Sequence, residues 1–238
     1  MRDRTRLDVD EWWRGVFGVE TELWSAVTVL HPHGQLDDYE GWYVAWRDEG
    51  VHVSAPSSAD GDDVASLRTR PATAMSDPEF WRTFADDRGL QVIGPSTHFY
   101  LDVDIGTSVD VVALSTEQLG DLETRVRPEE WSEGGMADDP PAPVAFGVVA
   151  DGGTVAGAVL NDWRGVPSDL GVVVASSHRG RGLATTVGRH AASYAVRQHG
   201  IARWRAATSN VASMRAARGL GFEPYATQLA VRRGSSGV

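Results

Sequence analysis

The chain has 238 residues, 42% of them hydrophobic, which allows one large domain or two small ones with a sizeable core. A formal charge of −11 argues against a general nucleic-acid surface, and the lack of cysteine excludes disulfides, a thiolate nucleophile and zinc–thiolate sites. No run approaches the ~18 apolar residues of a membrane helix, and Met1-Arg2-Asp3-Arg4 opens a charged segment without an apolar signal core, so a soluble cytoplasmic protein is expected.

In chain order, Val9 to Phe17 reads as a short helix, and Val27 to His31, Trp42 to Trp46 and Val51 to Ala55 cluster or alternate like strands. Asp48-Glu49-Gly50 reads as the turn between the last two. Helices are expected over Asp62 to Arg70 and Asp77 to Asp86, the second announced by Ser76-Asp77-Pro78. Leu90 to Ile93 and His98 to Val103 read as strands, and the loop Asp104 to Thr107 as a domain boundary. Beyond it come a strand at Val109 to Leu114, a helix from Thr116 to Val126 capped near Ser115, and a helical turn over Pro128 to Glu133. Val144 to Val149 and Val155 to Leu160 form a hairpin through Asp151-Gly152-Gly153. Leu170 to Ala175 is an apolar strand, followed by a helix to about Gln198 in which Leu183, Val187, Ala191 and Ala195 recur every four residues. A strand at Trp204 to Ala207, a helix at Val211 to Leu220 and a last strand at Pro224 to Val231 complete the order. The expected organisation is therefore α/β, with a smaller α/β N-terminal domain over 1–106 and a second domain over 107–238.

Arg179-Gly180-Arg181-Gly182-Leu183-Ala184 joins the apolar strand to the long helix. A glycine-spaced turn at a helix start lets consecutive N–H groups face one concavity, and the arginines add full charge, so the site suits a pyrophosphate. It is not a P-loop, which needs Gly-Lys-Ser/Thr, because the chain contains no lysine. Nor is it a dinucleotide fingerprint, since Thr185 stands where the third small residue belongs.

The spacing Arg/Gln-x-x-Gly-x-Gly/Ala, read as Arg179, Gly182 and Ala184, resembles the acyl-CoA pyrophosphate loop of the GNAT acyltransferase superfamily. The stretch Val172 to Ala175 is similar to that family's pantetheine-binding strand, and Asn210 to Phe222, ending Leu220-Gly221-Phe222, resembles its second motif. The resemblance covers roughly Asp110 to Arg233 and implies the GNAT mixed sheet flanked by helices. It also implies acetyl-CoA or another acyl-CoA as co-substrate, held by Val172, Val174, Arg179, Gly180, Arg181, Gly182, Leu183, Ala184, Asn210 and Ser213. Val51 to Arg68 echoes the strand and helix without the glycine loop, which makes the first half a candidate degenerate GNAT-like domain. In many family members a tyrosine stands seven residues after the asparagine and protonates the departing thiolate; here that position is Ala217.

Acyl transfer to an amine needs a polarised thioester, a base and a leaving thiolate. Base candidates are Glu133, in the family's substrate-loop region, and Asp169, just before the cofactor strand; Asp162 has similar standing. Tyr225 is the candidate substitute for the missing acid, with Tyr194 behind it. His31-Pro32-His33 lacks carboxylates at ligand spacing, so no metal is expected. The expected function is an acyl-CoA-dependent N-acyltransferase acting on an amine of a small molecule or amino-acid derivative. The alternatives are a non-catalytic acyl-CoA-binding or sensing module and an aminoacyl-tRNA-dependent transferase. No nucleic-acid or membrane partner is expected; the oligomeric state stays open, a homodimer among the options.

Overall fold

The structure, a computed structural model, describes residues 1–20, 23–24, 28–33, 36, 39–48, 50–137 and 142–234. Val27 and Glu49, which belong to the expected first strand and first turn, lie outside them. The elements are α1 (Asp3–Phe17), β1 (Thr28–Pro32), β2 (Gly41–Arg47), β3 (Gly50–Ala55), α2 (Gly61–Arg68), α3 (Ala72–Met75), α4 (Pro78–Asp86) and β4 (Gln91–Leu101). They continue with β5 (Val112–Ala113), α5 (Thr116–Glu123), α6 (Pro128–Glu133), β6 (Val144–Ala150), β7 (Gly153–Trp163) and β8 (Val166–Val174). The last are α7 (Leu183–His199), β9 (Ala202–Ala207), α8 (Val211–Gly219) and β10 (Glu223–Arg232). This is a mixed α/β fold of sheet strands flanked by helices.

The chain forms two compact units. One contains Arg2–His98, Ala207–Ser209 and Tyr225–Val238; the other contains Met1, Phe99–Ala206 and Asn210–Pro224. In the first, the strands run β1-β3-β2-β10-β4, with β1 parallel to β3 and the β2 pairs antiparallel. Alternation along β3 explains its burial on both faces. Val51, Val53 and Ala55 join Trp42, Val44, Leu67, Trp81 and Phe84 in one apolar cluster. His52 and Ser54 point the other way, where the rings of Phe17 and Trp24 lie against His52. Asp60 and Asp77 cap α2 and α4, accepting the amides of Asp62 and Glu79 at 2.8 and 2.9 Å.

In the second unit the strands run β9-β8-β7-β6-β5. Period-two alternation sorts β7 cleanly. Ala156, Ala158 and Leu160 share a core with Val187, Ala191, Ala192 and Ala195 of α7. On the opposite face a side chain at Gly157 would collide with Leu122 of α5, 2.6 Å away, so that helix lies close on the strand. Leu122, Val126 and Trp131 form a smaller core there with Val173 and Ala175. A capping box starts α5: Ser115 Oγ accepts from Gln118 N at 3.2 Å and Gln118 Oε1 from Ser115 N at 2.9 Å. The loop at Asp104 to Thr107 is fastened to α7, since Arg189 donates to Ile105 O and Ser193 to Gly106 O, each at 2.8 Å. No helix among the described residues is long and apolar enough to cross a membrane.

Candidate active site

β8 pairs with β9 only at Asp169↔Arg203 and Leu170↔Trp204, while its antiparallel pairing with β7 continues to Val174. The two parallel strands therefore part after Leu170. The next amide beyond β8, Ala175 N–H, donates to Val155 O on β7 at 2.9 Å. Strand alternation then turns the amides of Val172 and Val174 the other way, toward the gap that β9 has left.

The cradle follows directly. A short 3-10 turn, Ser176–His178, leads to Gly180 at φ 74° and Gly182 at φ 78°, and Gly182 is the N-cap of α7. Both glycines hold the left-handed conformation that residues with a Cβ adopt at a cost. No side chain among the described residues caps α7, so its first-turn amides and the positive end of its dipole face outward. Arg179 donates to Val174 O at 3.3 Å and to Glu130 Oε2 at 2.5 Å; Arg181 reaches back to Ser177 O at 3.3 Å. His178 lies between Ser177 Oγ and Asp151 Oδ2, 2.9 Å from each. Hydrogen bonds from Arg127 first, then Arg179, hold the Glu130 carboxyl down at about 2.

These parts border a cavity of about 430 Å³, a size typical of small-molecule sites. The structure brings Val172, Val174, Arg179, Gly180, Gly182, Leu183 and Ala184 to its wall, together with Asn210, Ser213, Glu133 and Asp169. Arg181 is not part of the lining. Asn210 caps α8, its Oδ1 accepting from Ser213 N at 3.0 Å, and its Nδ2 donates to Glu133 Oε1 at 2.8 Å. Ser213 Oγ accepts from Trp204 Nε1 at 3.0 Å. Asp169 Oδ2 pairs with Arg203 Nη1 at 3.2 Å, and both side chains are largely buried. Arg203, 7% exposed, is thus an internal partner.

The candidate acid and the other side chains considered with it lie elsewhere. Tyr225 does not line the cavity. It belongs to the other unit, is 4% exposed, donates its hydroxyl to Asp10 and accepts from Trp24 Nε1 at 3.0 Å. Burial first, then Asp10, pushes its pKa far above the ordinary phenol value, so nothing in its geometry suits it to give a proton to a thiolate. Ala217 is fully buried in the core beside Leu220 and Phe222, whereas Ala212, Ser213 and Ala216 of the same helix face the cavity. Asp162 is exposed and accepts from Gly165 N at 3.1 Å, serving a turn. Tyr194 sets its ring at a tilt to that of Phe146, centroids 5.2 Å apart, and packs against the core.

Asn161 and Glu130 are polar lining residues that the sequence reading did not single out. For Asn161 a signal existed: Val155, Gly157 and Val159 share its strand face, so a polar residue there is an inward exception. For Glu130 none did, because its partner Arg179 is 49 residues away. Among the described residues no group of three or more His, Asp or Glu side chains is placed to hold a metal ion; the side chain of His31 lies outside the description.

A sheet parted beside a glycine-spaced helix start thus borders one cavity. Residues 113–222 match the acetyltransferase (GNAT) family model. Among solved structures it is similar to a GNAT-family acetyltransferase from Novosphingobium aromaticivorans (22% identity, 62% of this chain and 69% of that one, TM-score 0.46). It is also similar to a GNAT-family acetyltransferase from Colwellia psychrerythraea (21% identity, 63% of this chain and 60% of that one, TM-score 0.46). A third, a Drosophila protein, has 15% identity over 86% of this chain and 78% of that one, with a TM-score of 0.49. No curated protein matches the chain.

Proposed function

We propose that the chain transfers an acetyl or related acyl group from coenzyme A to an amine of a small molecule or amino-acid derivative. The observation that carries this reading is the parting of β8 from β9 beside the Gly180–Gly182 turn. The first-turn amides of α7 and Arg179 meet the pyrophosphate, and the amides of Val172 and Val174 are free to pair with the pantetheine arm and polarise the thioester carbonyl.

Glu133 is the proposed base. It is exposed to the cavity and oriented by a neutral amide, Asn210, rather than neutralised by a cation. In the reaction the amine nitrogen bonds the carbonyl carbon, Glu133 takes the amine proton, and the C–S bond breaks with its electron pair left on sulfur. No tyrosine among the described residues lines the cavity, and a CoA thiolate is a good enough leaving group to depart without one.

Thiol release from acetyl-CoA with a panel of amines tests the reading. Glu133→Gln should lower turnover ~10²-fold or more while leaving CoA affinity nearly intact. Gly182→Asp puts a carboxylate and a strained left-handed residue at the pyrophosphate site, and should abolish CoA binding in calorimetry. Unchanged affinity in the folded variant defeats the cradle assignment. CoA binding without acylation of any amine makes the chain a binding module.

A further inference from the structure

Asn161 and Asp169 are direct cross-strand partners on β7 and β8, and both line the cavity. Asn161 is 7% exposed. Its Nδ2 donates to Gly135 O at 2.7 Å, which fixes the amide and leaves Oδ1 as the other end. That Oδ1 and Asp169 Oδ1 are both buried and without a hydrogen-bond partner among the described residues. The close approach of the chain after α6 makes this corner: a side chain at Gly171 would stand 2.4 Å from Gly134 O and one at Gly134 would stand 2.4 Å from Val173. Two unmet acceptors side by side, one of them anionic, are costly unless something donates to both.

We infer that Asn161 and Asp169 hold a primary ammonium group of the acceptor, distinct from the amine that is acylated. This rests on the acyl-transfer reading for the role of the site, though not for the chemistry of its ligand. A primary ammonium has three N–H donors and a positive charge, enough for both acceptors. A hydroxyl or a tertiary ammonium has one donor and leaves an acceptor bare, and a carboxylate is repelled. Asp169 pairs with Arg203 through Oδ2, which leaves Oδ1 as the acceptor for the ammonium. A protonated, ion-held ammonium is no nucleophile, and the base, Glu133, stands on another element beside Asn210. The two carboxylates thus divide the work, and the acceptor class is a diamine or a basic amino-acid derivative with an anchoring ammonium.

The test has a binding arm that needs no turnover. Butylamine, its N,N-dimethyl analogue and butanol are titrated into the full-length protein, followed by amide shifts in NMR. Only butylamine should bind, and Asn161→Leu and Asp169→Asn should each weaken it about tenfold or more. CoA calorimetry on both variants reports folding; where Asn161→Leu fails it, Asn161→Ser takes its place. In the kinetic arm, cadaverine is compared with butylamine as acceptor. Both variants should raise KM for cadaverine at least tenfold more than for butylamine, with the larger effect in KM rather than kcat. Equal binding of the three probes, or butylamine binding indifferent to both substitutions, overturns the inference. So does a loss confined to kcat and equal for both acceptors, which would make Asp169 the base. Butylamine binding that obeys the prediction in a protein that never binds CoA would defeat the acyl-transfer reading and leave the ammonium site standing.

Discussion

Arg179 is held by Glu130 at 2.5 Å, and Glu130 is held in turn by Arg127. The carboxylate positions the cradle arginine, but it also places a negative charge where two phosphate charges would arrive. Glu130→Gln should therefore tighten CoA binding by ~2–5-fold at low salt, an advantage that shrinks as salt screens it. Calorimetry at two ionic strengths checks this. The sign of the pH effect follows from a lowered carboxyl. Its ion pairs are fully present above the ordinary value of 4.5 and are lost only as the pH falls through about 2. Any pH dependence of CoA affinity near neutrality then belongs to other groups, and should survive in the Glu130→Gln protein.

Among the elements, α8 is the most instructive. Its cavity face carries Ala212, Ser213 and Ala216, and its core face carries Ala217 at 0% exposure. Ala217→Tyr consequently adds a ring to a filled core and should cost ~1–3 kcal/mol without creating a proton donor; denaturant unfolding and turnover together check it. Sequence spacing located the helix correctly but could not say which way each residue pointed. The strand–cradle–helix segment was legible because glycines at Gly180 and Gly182 and a four-residue apolar repeat in α7 are local signals. β4 was harder: Leu90 to Ile93 and His98 to Val103 read as separate strands, yet one strand runs Gln91–Leu101. Pro95 needs no amide partner, and its carbonyl accepts Thr208 N at 2.9 Å. α3, four residues long, is too short to show any periodicity. The Asn161–Asp169 pairing depends on a register that shifts between Asn161 and Asp162, and no local pattern encodes that.

Across the molecule, each unit has its own core, and their chemistry differs. The unit containing β3 buries His52 at 1% exposure, with its Nε2 on Leu23 O. Burial, opposed by that carbonyl, lowers the imidazole below its ordinary value of 6.5. The unfolded chain then binds a proton more readily than the folded one, so stability is intact above 6.5 and declines as the pH falls below it. Urea midpoints should drop from about pH 8 to about pH 5, and the non-titrating His52→Gln should flatten that slope. A slope unaltered by the substitution would assign the acid sensitivity elsewhere.

The parting of β8 from β9 also makes an internal edge: a strand whose amides face an opening instead of a neighbour. Such an edge is a template awaiting a strand, and an extended ligand with its own amides can take that place. Solvent can reach it too. In hydrogen–deuterium exchange, the amides of Val172 and Val174 should therefore exchange quickly in the free protein, while Ala175, bonded to Val155 O, exchanges slowly. Added CoA should slow the first two and leave the third where it was, so that the ligand registers as the sheet's missing hydrogen bonds.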